Sequence, residues 1–181
     1  MKTVAAAIFV VLGLLLPSLA AAGAEVPKEL AAAVGVAEKD GRTLFEAARQ
    51  SVAPNERAVS DAHKQISNFC AFDYRPILVS RNGRTAIYFL AQSSAPDEII
   101  VGRHFKVAGA KVTDSTNSCF TLGRYPANAV AVFITHFLSP APSEFHVYLS
   151  LKHNKGIIVG TSAGNWGVEN GKIRFIQARK R

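Results

Sequence analysis

The chain is poor in cysteine and in acid. Only Cys70 and Cys119 occur among 181 residues. Neither lies near the N-terminus, which excludes a lipid-anchored N-terminal cysteine, and no C-x-x-C pair is present to suggest dithiol redox chemistry. Beyond residue 24 no apolar run approaches the length that spans a bilayer. There is no internal repeat, low-complexity block or linker long enough to divide domains, so one domain is expected. G-x-S-x-G, H-E-x-x-H, a phosphate loop and a dinucleotide fingerprint are all missing. Thirteen Asp and Glu face 21 Lys and Arg, giving a formal net charge of +8. The basic residues are scattered except at the tail, Arg179-Lys180-Arg181, and no aromatic–basic interleaving offers a stacking platform for nucleic acid.

What is present begins with a secretion signal. Lys2 supplies a positive charge, Val4 to Leu16 is uncharged and apolar, and Pro17 and Ser18 lead into small residues. Ala22-Gly23-Ala24 fits an A-x-A cleavage site, with Ala20-Ala21-Ala22 as a second choice. Residues 1–24 are therefore assigned as a signal peptide and 25–181 as a single domain. An uncleaved anchor is the alternative, since Thr3 to Ala24 is long enough to span, but Pro17 and the alanine-rich end suit cleavage better. A periplasmic or secreted location is expected. No membrane span would then remain, and no nucleic-acid partner is expected. Cleavage removes one lysine and no acid, so the mature chain stays strongly basic. In an oxidising compartment the isolated cysteine pair reads as a Cys70–Cys119 disulfide, closing a loop of about 50 residues worth roughly 4 kcal/mol.

Turn chemistry and side-chain periodicity organise the rest. Asn170-Gly171 suits a two-residue turn with positive φ, which sets Glu169 opposite Lys172, Val168 opposite Ile173 and Trp166 opposite Phe175. Asn82-Gly83 suggests a second hairpin, with Leu78 opposite Ile87, Ile77 opposite Tyr88, and the like charges Arg81 and Arg84 flanking the turn. Glu25 to Ser51 reads as a helix weakened at Asp40-Gly41, and Pro54 or Asn55 to Asn68 as a second helix. Glu144 to Lys152 alternates Phe145, Val147, Leu149, Leu151 against His146, Tyr148, Ser150, Lys152, the pattern of a half-buried strand. Ala129 to Leu138 is apolar on both sides and reads as a central strand. Glu98 to Val107 and Ser118 to Leu122 read as further strands. Gly160 to Asn165 is a loop or bulged turn, because it lacks the following helix that makes glycine-rich loops bind phosphate.

The order is thus helices followed by hairpin-connected strands, which means α+β. Two N-terminal helices are expected to pack on a curved antiparallel β-meander of about seven to nine short strands. In outline this resembles a cystatin-like or NTF2-like cone, a likeness of fold that implies nothing specific about function.

One constellation can carry chemistry. His136, Glu144 and His146 flank a proline-containing connection. In one register of a hairpin there, the two imidazoles and the carboxylate converge, able to ligate a divalent metal or do acid–base work. In the other, His136 is a core residue and His146 a surface one. Arg103 to Lys106 alternates basic and aromatic, and a solvated strand edge is its simplest reading. No cofactor is implied. The sequence favours a non-enzymatic binding or envelope-accessory domain whose partner is an anionic envelope component or a small ligand. The alternatives are a small hydrolase or metal-dependent enzyme using His136, Glu144 and His146, and an assembly partner docking through a sheet face or edge.

Overall fold

The computed structural model describes residues 24–50, 54–81, 83–123, 125–126 and 128–179. The signal-peptide assignment, the connector at 51–53, Asn82 and the tail residues 180 and 181 lie outside the described residues. Among the described residues three helices and ten strands are formed. α1 runs Lys28–Gln50 and α2 Glu56–His63. The first strands are β1 (Asp73–Arg81), β2 (Arg84–Gln92), β3 (Ile99–Ile100), β4 (Phe105–Ala108), β5 (Lys111–Asp114) and β6 (Thr121–Leu122). They are followed by β7 (Ala131–Thr135), α3 (Glu144–His153), β8 (Gly156–Gly160), β9 (Gly164–Glu169) and β10 (Lys172–Ala178).

The fold is α+β, but the single curved meander is not formed. The strands divide into three separate sheets, ordered β1-β2-β4-β5, β3-β6 and β10-β9-β8-β7, none closed or curved into a cone. The reason is α3. The stretch expected as a strand is a helix, and it carries the chain from β7 to β8, which pair in parallel. A parallel neighbour needs such a crossover, whereas a meander needs only turns. The strand expected to be central is accordingly five residues long and lies at the edge of its sheet. The stretch from Glu98 to Val107 also breaks in two, at Gly102 and at Arg103, whose φ is +54°.

α3 misleads periodicity because its central turns are buried on every side. Phe145 through Ser150 are six consecutive buried residues. A helix enclosed all round has no polar stripe to show. On one flank lie Ile77, Tyr88 and Leu90 of the first sheet, and on the other Ile134, Ile157, Val159, Trp166, Val168, Ile173 and Phe175 of the last. α1 shares this middle layer through Val34, Ala37 and Leu44. α2 and the segment after it cover the opposite side of the first sheet, where Ala62 and Ile66 pack on Ile87, Phe89, Phe105 and Val107. The two N-terminal helices therefore lie on opposite faces of a sheet rather than together on one.

Both hairpins take the registers their turns dictate. Trp166 faces Phe175 and Val168 faces Ile173; Ile77 faces Tyr88 and Leu78 faces Ile87. Asn55 caps α2, accepting from the backbone N–H of Arg57 and Ala58. Cys70 and Cys119 are joined, tying the chain after α2 to the start of β6. Arg103 binds the carbonyls of Asn68 and Asn117 at 2.9 Å each, one beside each half of that bridge.

α1 does not break at Gly41. A Cβ placed there would lie 2.4 Å from Val147 Cβ and 2.7 Å from the Glu144 carbonyl oxygen, so the glycine is where α1 and α3 touch. Gly35, on the same helix, has open space around it. The two alanine substitutions should therefore differ in sign. Gly35→Ala should stabilise by up to about 1 kcal/mol through helix propensity. Gly41→Ala should lose that gain to overpacking of about 1–3 kcal/mol. Urea unfolding of both variants is the measurement, and equal effects would contradict the contact.

Candidate functional site

The carboxyl ends of β7 and β8 and the first turn of α3 meet at one place. His136 follows β7 directly, and its N–H binds the carbonyl of Gly160. His146 lies one turn into α3. The imidazoles converge, with ring centroids 4.8 Å apart and planes nearly perpendicular. They are brought together by the strand-to-helix connection, not by a hairpin in either register. Glu144 does not join them; its carboxylate takes a hydrogen bond from Lys106 Nζ at 3.0 Å. Among the described residues no three His, Cys, Asp or Glu side chains converge where they could hold a metal ion.

Each histidine has a definite partner. His136 Nε2 lies 3.0 Å from Ser139 Oγ. Ser139 gives its only hydroxyl proton to the carbonyl of Ala141, so the imidazole is the donor and the serine the acceptor. A serine held this way is not activated as a nucleophile, which would have to donate to the imidazole. His146 Nδ1 accepts from the Ser143 backbone N–H at 2.9 Å and lies 3.0 Å from its hydroxyl. That is a capping box with histidine in the place of Glu or Gln. Both rings are buried, at 4% and 2% exposure. Burial pushes the His146 pKa down to about 3, helped by His136, and lowers that of His136 as well.

Thr161, just past β8, closes the arrangement. Its hydroxyl donates to the carbonyl of Pro140 at 2.8 Å and accepts from Trp166 Nε1 at 3.0 Å. The connection from β7 to α3 is thus pinned at His136, Ser139, Pro140 and Ser143. The residues between the first two pins are Phe137 and Leu138, and these are turned outward, 67% and 52% exposed. Sequence reasoning found the histidines but not this consequence. The signal was the H-x-x-S spacing, which lets residue i close a ring onto residue i+3.

Beyond that loop lies the outer face of the last sheet. Side chains alternate across it, so the inner rows are apolar and buried, while the outer rows follow from the pairing. One outer row reads Phe133, Ile158, Gly167, Arg174 and the next Thr135, Gly160, Asn165, Gln177. Phe133 leans over Gly160 and Ile176 over Gly167, the ring and methyl contacts a Cβ would meet at 3.1 and 3.6 Å. No described helix packs on this face. A groove of about 500 Å³ runs along it between Phe133, Phe137 and Arg179 over the glycine floor.

A second feature, between α1 and the first hairpin, is a charged cleft of about 640 Å³. Asp40 pairs with Arg81 at 2.5 Å and lies 3.6 Å from Lys106. The like charges Arg81 and Arg84, directly opposed across the turn, are thereby relieved. Burial opposes the charge on Lys106, but the Glu144 carboxylate and the Tyr88 hydroxyl more than offset it and its pKa is raised. Burial and the same carboxylate push Tyr88 up to about 12. Arg81 and Lys106 are paired internally and bridge α1, α3 and the first sheet. His104 is a core residue: Nδ1 accepts from the Ala91 N–H at 3.0 Å, Nε2 lies 2.8 Å from the Ile100 carbonyl, and burial lowers its pKa to about 4.

No protein-family model matches this chain, and neither a curated protein nor a solved structure matches it.

The buried imidazoles make stability depend on pH with a definite sign. His104 and His146 are neutral when folded, with pKa values well below the ordinary 6.5. The unfolded chain takes up those protons first, so stability is full above about pH 6.5 and is lost as pH falls toward 4. Each buried ring contributes on the order of 3 kcal/mol to that loss. Urea titration at about pH 7.5 and 4.5 should show a fall of several kcal/mol; a flat or rising profile would contradict the assignment.

Proposed function

We propose that the chain is a non-enzymatic, extracytoplasmic binding or envelope-accessory domain that docks through the open face of its last sheet. The observation that carries this reading is the rigid presentation of Phe137 and Leu138. Large apolar side chains in solvent are unremarkable singly, but an adjacent pair continuous with Phe133, Ile158 and Ile176 forms a patch of the kind interaction surfaces use. The loop that holds them is hydrogen-bonded at four residues, so little ordering cost remains to be met on docking. The two histidines, in this reading, are positioning residues for that loop and for the start of α3.

The compartment follows from the N-terminal pattern, and the basic composition adds attraction to anionic envelope material. Among the described residues no helix is long and apolar enough to cross a membrane. The hydrolase alternative on His136, Glu144 and His146 draws no comparable support, because Glu144 is engaged by Lys106 and both rings are closed off from the surface.

Export in the producing cell should yield a mature chain beginning at Glu25, read by intact mass. A photoreactive side chain at position 137 should then form adducts with envelope material, while one at the exposed position 64 on the far side should not. Equal labelling at both positions, or none at 137, would remove the docking reading.

A further inference from the structure

We infer that the occupant of this face is an anionic lipid surface, into which Phe137 and Leu138 insert while the β10 side of the sheet meets the headgroups. This rests on the docking reading above and narrows it. The apolar pair stands out from the molecule instead of lining a closed recess, and an outstanding side chain is best received by a deformable phase. The charge lies where such a phase would need it. Lys172, Arg174 and Arg179 sit along β10 and its end; Glu169 on the same strand pair bonds Arg174 at 3.3 Å, and Glu29 of α1 shares a recess with Arg179. Lys172 also reaches Glu38, at the rim where α1 meets the β10 edge. Arg179 and Phe137 line the same groove, so a cation lies beside the apolar tip, and two further basic residues follow it in the sequence. Between tip and cations one outer row is uncharged throughout: Thr135, Gly160, Asn165, Gln177. An apolar anchor beside a basic margin is what peripheral attachment to anionic lipid requires, since neither a few buried side chains nor a few cations suffice alone.

An acidic polysaccharide would use the cations and leave the apolar pair idle. A protein partner would use the pair without a need for anionic headgroups. The test separates these. The mature, disulfide-bonded chain is sedimented with vesicles of phosphatidylglycerol and phosphatidylethanolamine, and separately with vesicles of phosphatidylcholine. It should bind the anionic vesicles, bind the zwitterionic ones at least about tenfold less, and be released by salt. The double variant F137S/L138S should bind the anionic vesicles at least about tenfold more weakly at an unchanged melting temperature, since both positions are exposed. R174Q/R179Q should lose most of the preference for anionic lipid. Absence of binding to the anionic vesicles at low salt overturns the inference, as does binding that F137S/L138S leaves intact. If the vesicles fail while position 137 still cross-links to envelope protein, the lipid assignment falls and the docking reading stands. If both fail, both are lost.

Discussion

Everything in this molecule is fitted around a ten-residue helix whose six central residues, Phe145 to Ser150, are all buried. α3 lies between two four-stranded sheets and against α1, and such a position makes two demands. Its neighbours must approach closely, and every polar group it carries must be satisfied within the protein, because water cannot reach it. The first demand is met at Gly41, where only the absence of a side chain lets α1 lie on Val147. The second is met residue by residue. Ser150 donates to the carbonyls of Lys155 and Val168, and His146 turns back to its own N-cap. Among the described residues no buried side-chain nitrogen or oxygen lacks a partner.

The second demand explains why buried histidine recurs here. A neutral imidazole offers one donor and one acceptor on a flat apolar body, so it can fill core volume and join two backbone segments at once. His104 does this between β2 and the chain after β3, and stacks on Phe145 of α3 with ring centroids 5.9 Å apart. Charging such a ring in the dry core costs its desolvation, and protonation also ends the acceptor role, which together give the acid sensitivity expected of the fold.

Legibility in the sequence followed the locality of each signal. Asn170-Gly171 and the apolar residues beside it fixed a hairpin and its register, because turn type and face alternation are decided within a dozen residues. The two cysteines were equally readable, since an isolated pair leaves one pairing. α3 was not readable, because the rule linking alternation to strands assumes that one side of an element sees solvent. Phe145, Val147 and Leu149 alternate with His146, Tyr148 and Ser150, but all six are inside. A cue did exist in Ser143 and Glu144 after Pro142, a helix start by capping residue and first-turn acid. Taking α3 for a strand makes β7 a central meander strand and merges the three sheets into one. The histidines are singled out by their chemistry alone; both registers considered for them belong to a hairpin that does not form.

The exposure of Phe137 and Leu138 is then a consequence of how α3 is started, and not a local accident. The chain leaves β7 at His136 and must reach Ser143 in position to cap the helix. The turn that does so is closed by the His136–Ser139 contact and fixed to β8 through Thr161. Those bonds hold the connection in one path, along which His136 is buried while Phe137 and Leu138 face solvent. A polar pair at 137 and 138 would satisfy the same backbone without exposing apolar surface. The loop geometry therefore accounts for the direction of these side chains but not for their type, and it is the type that points to a use outside the fold.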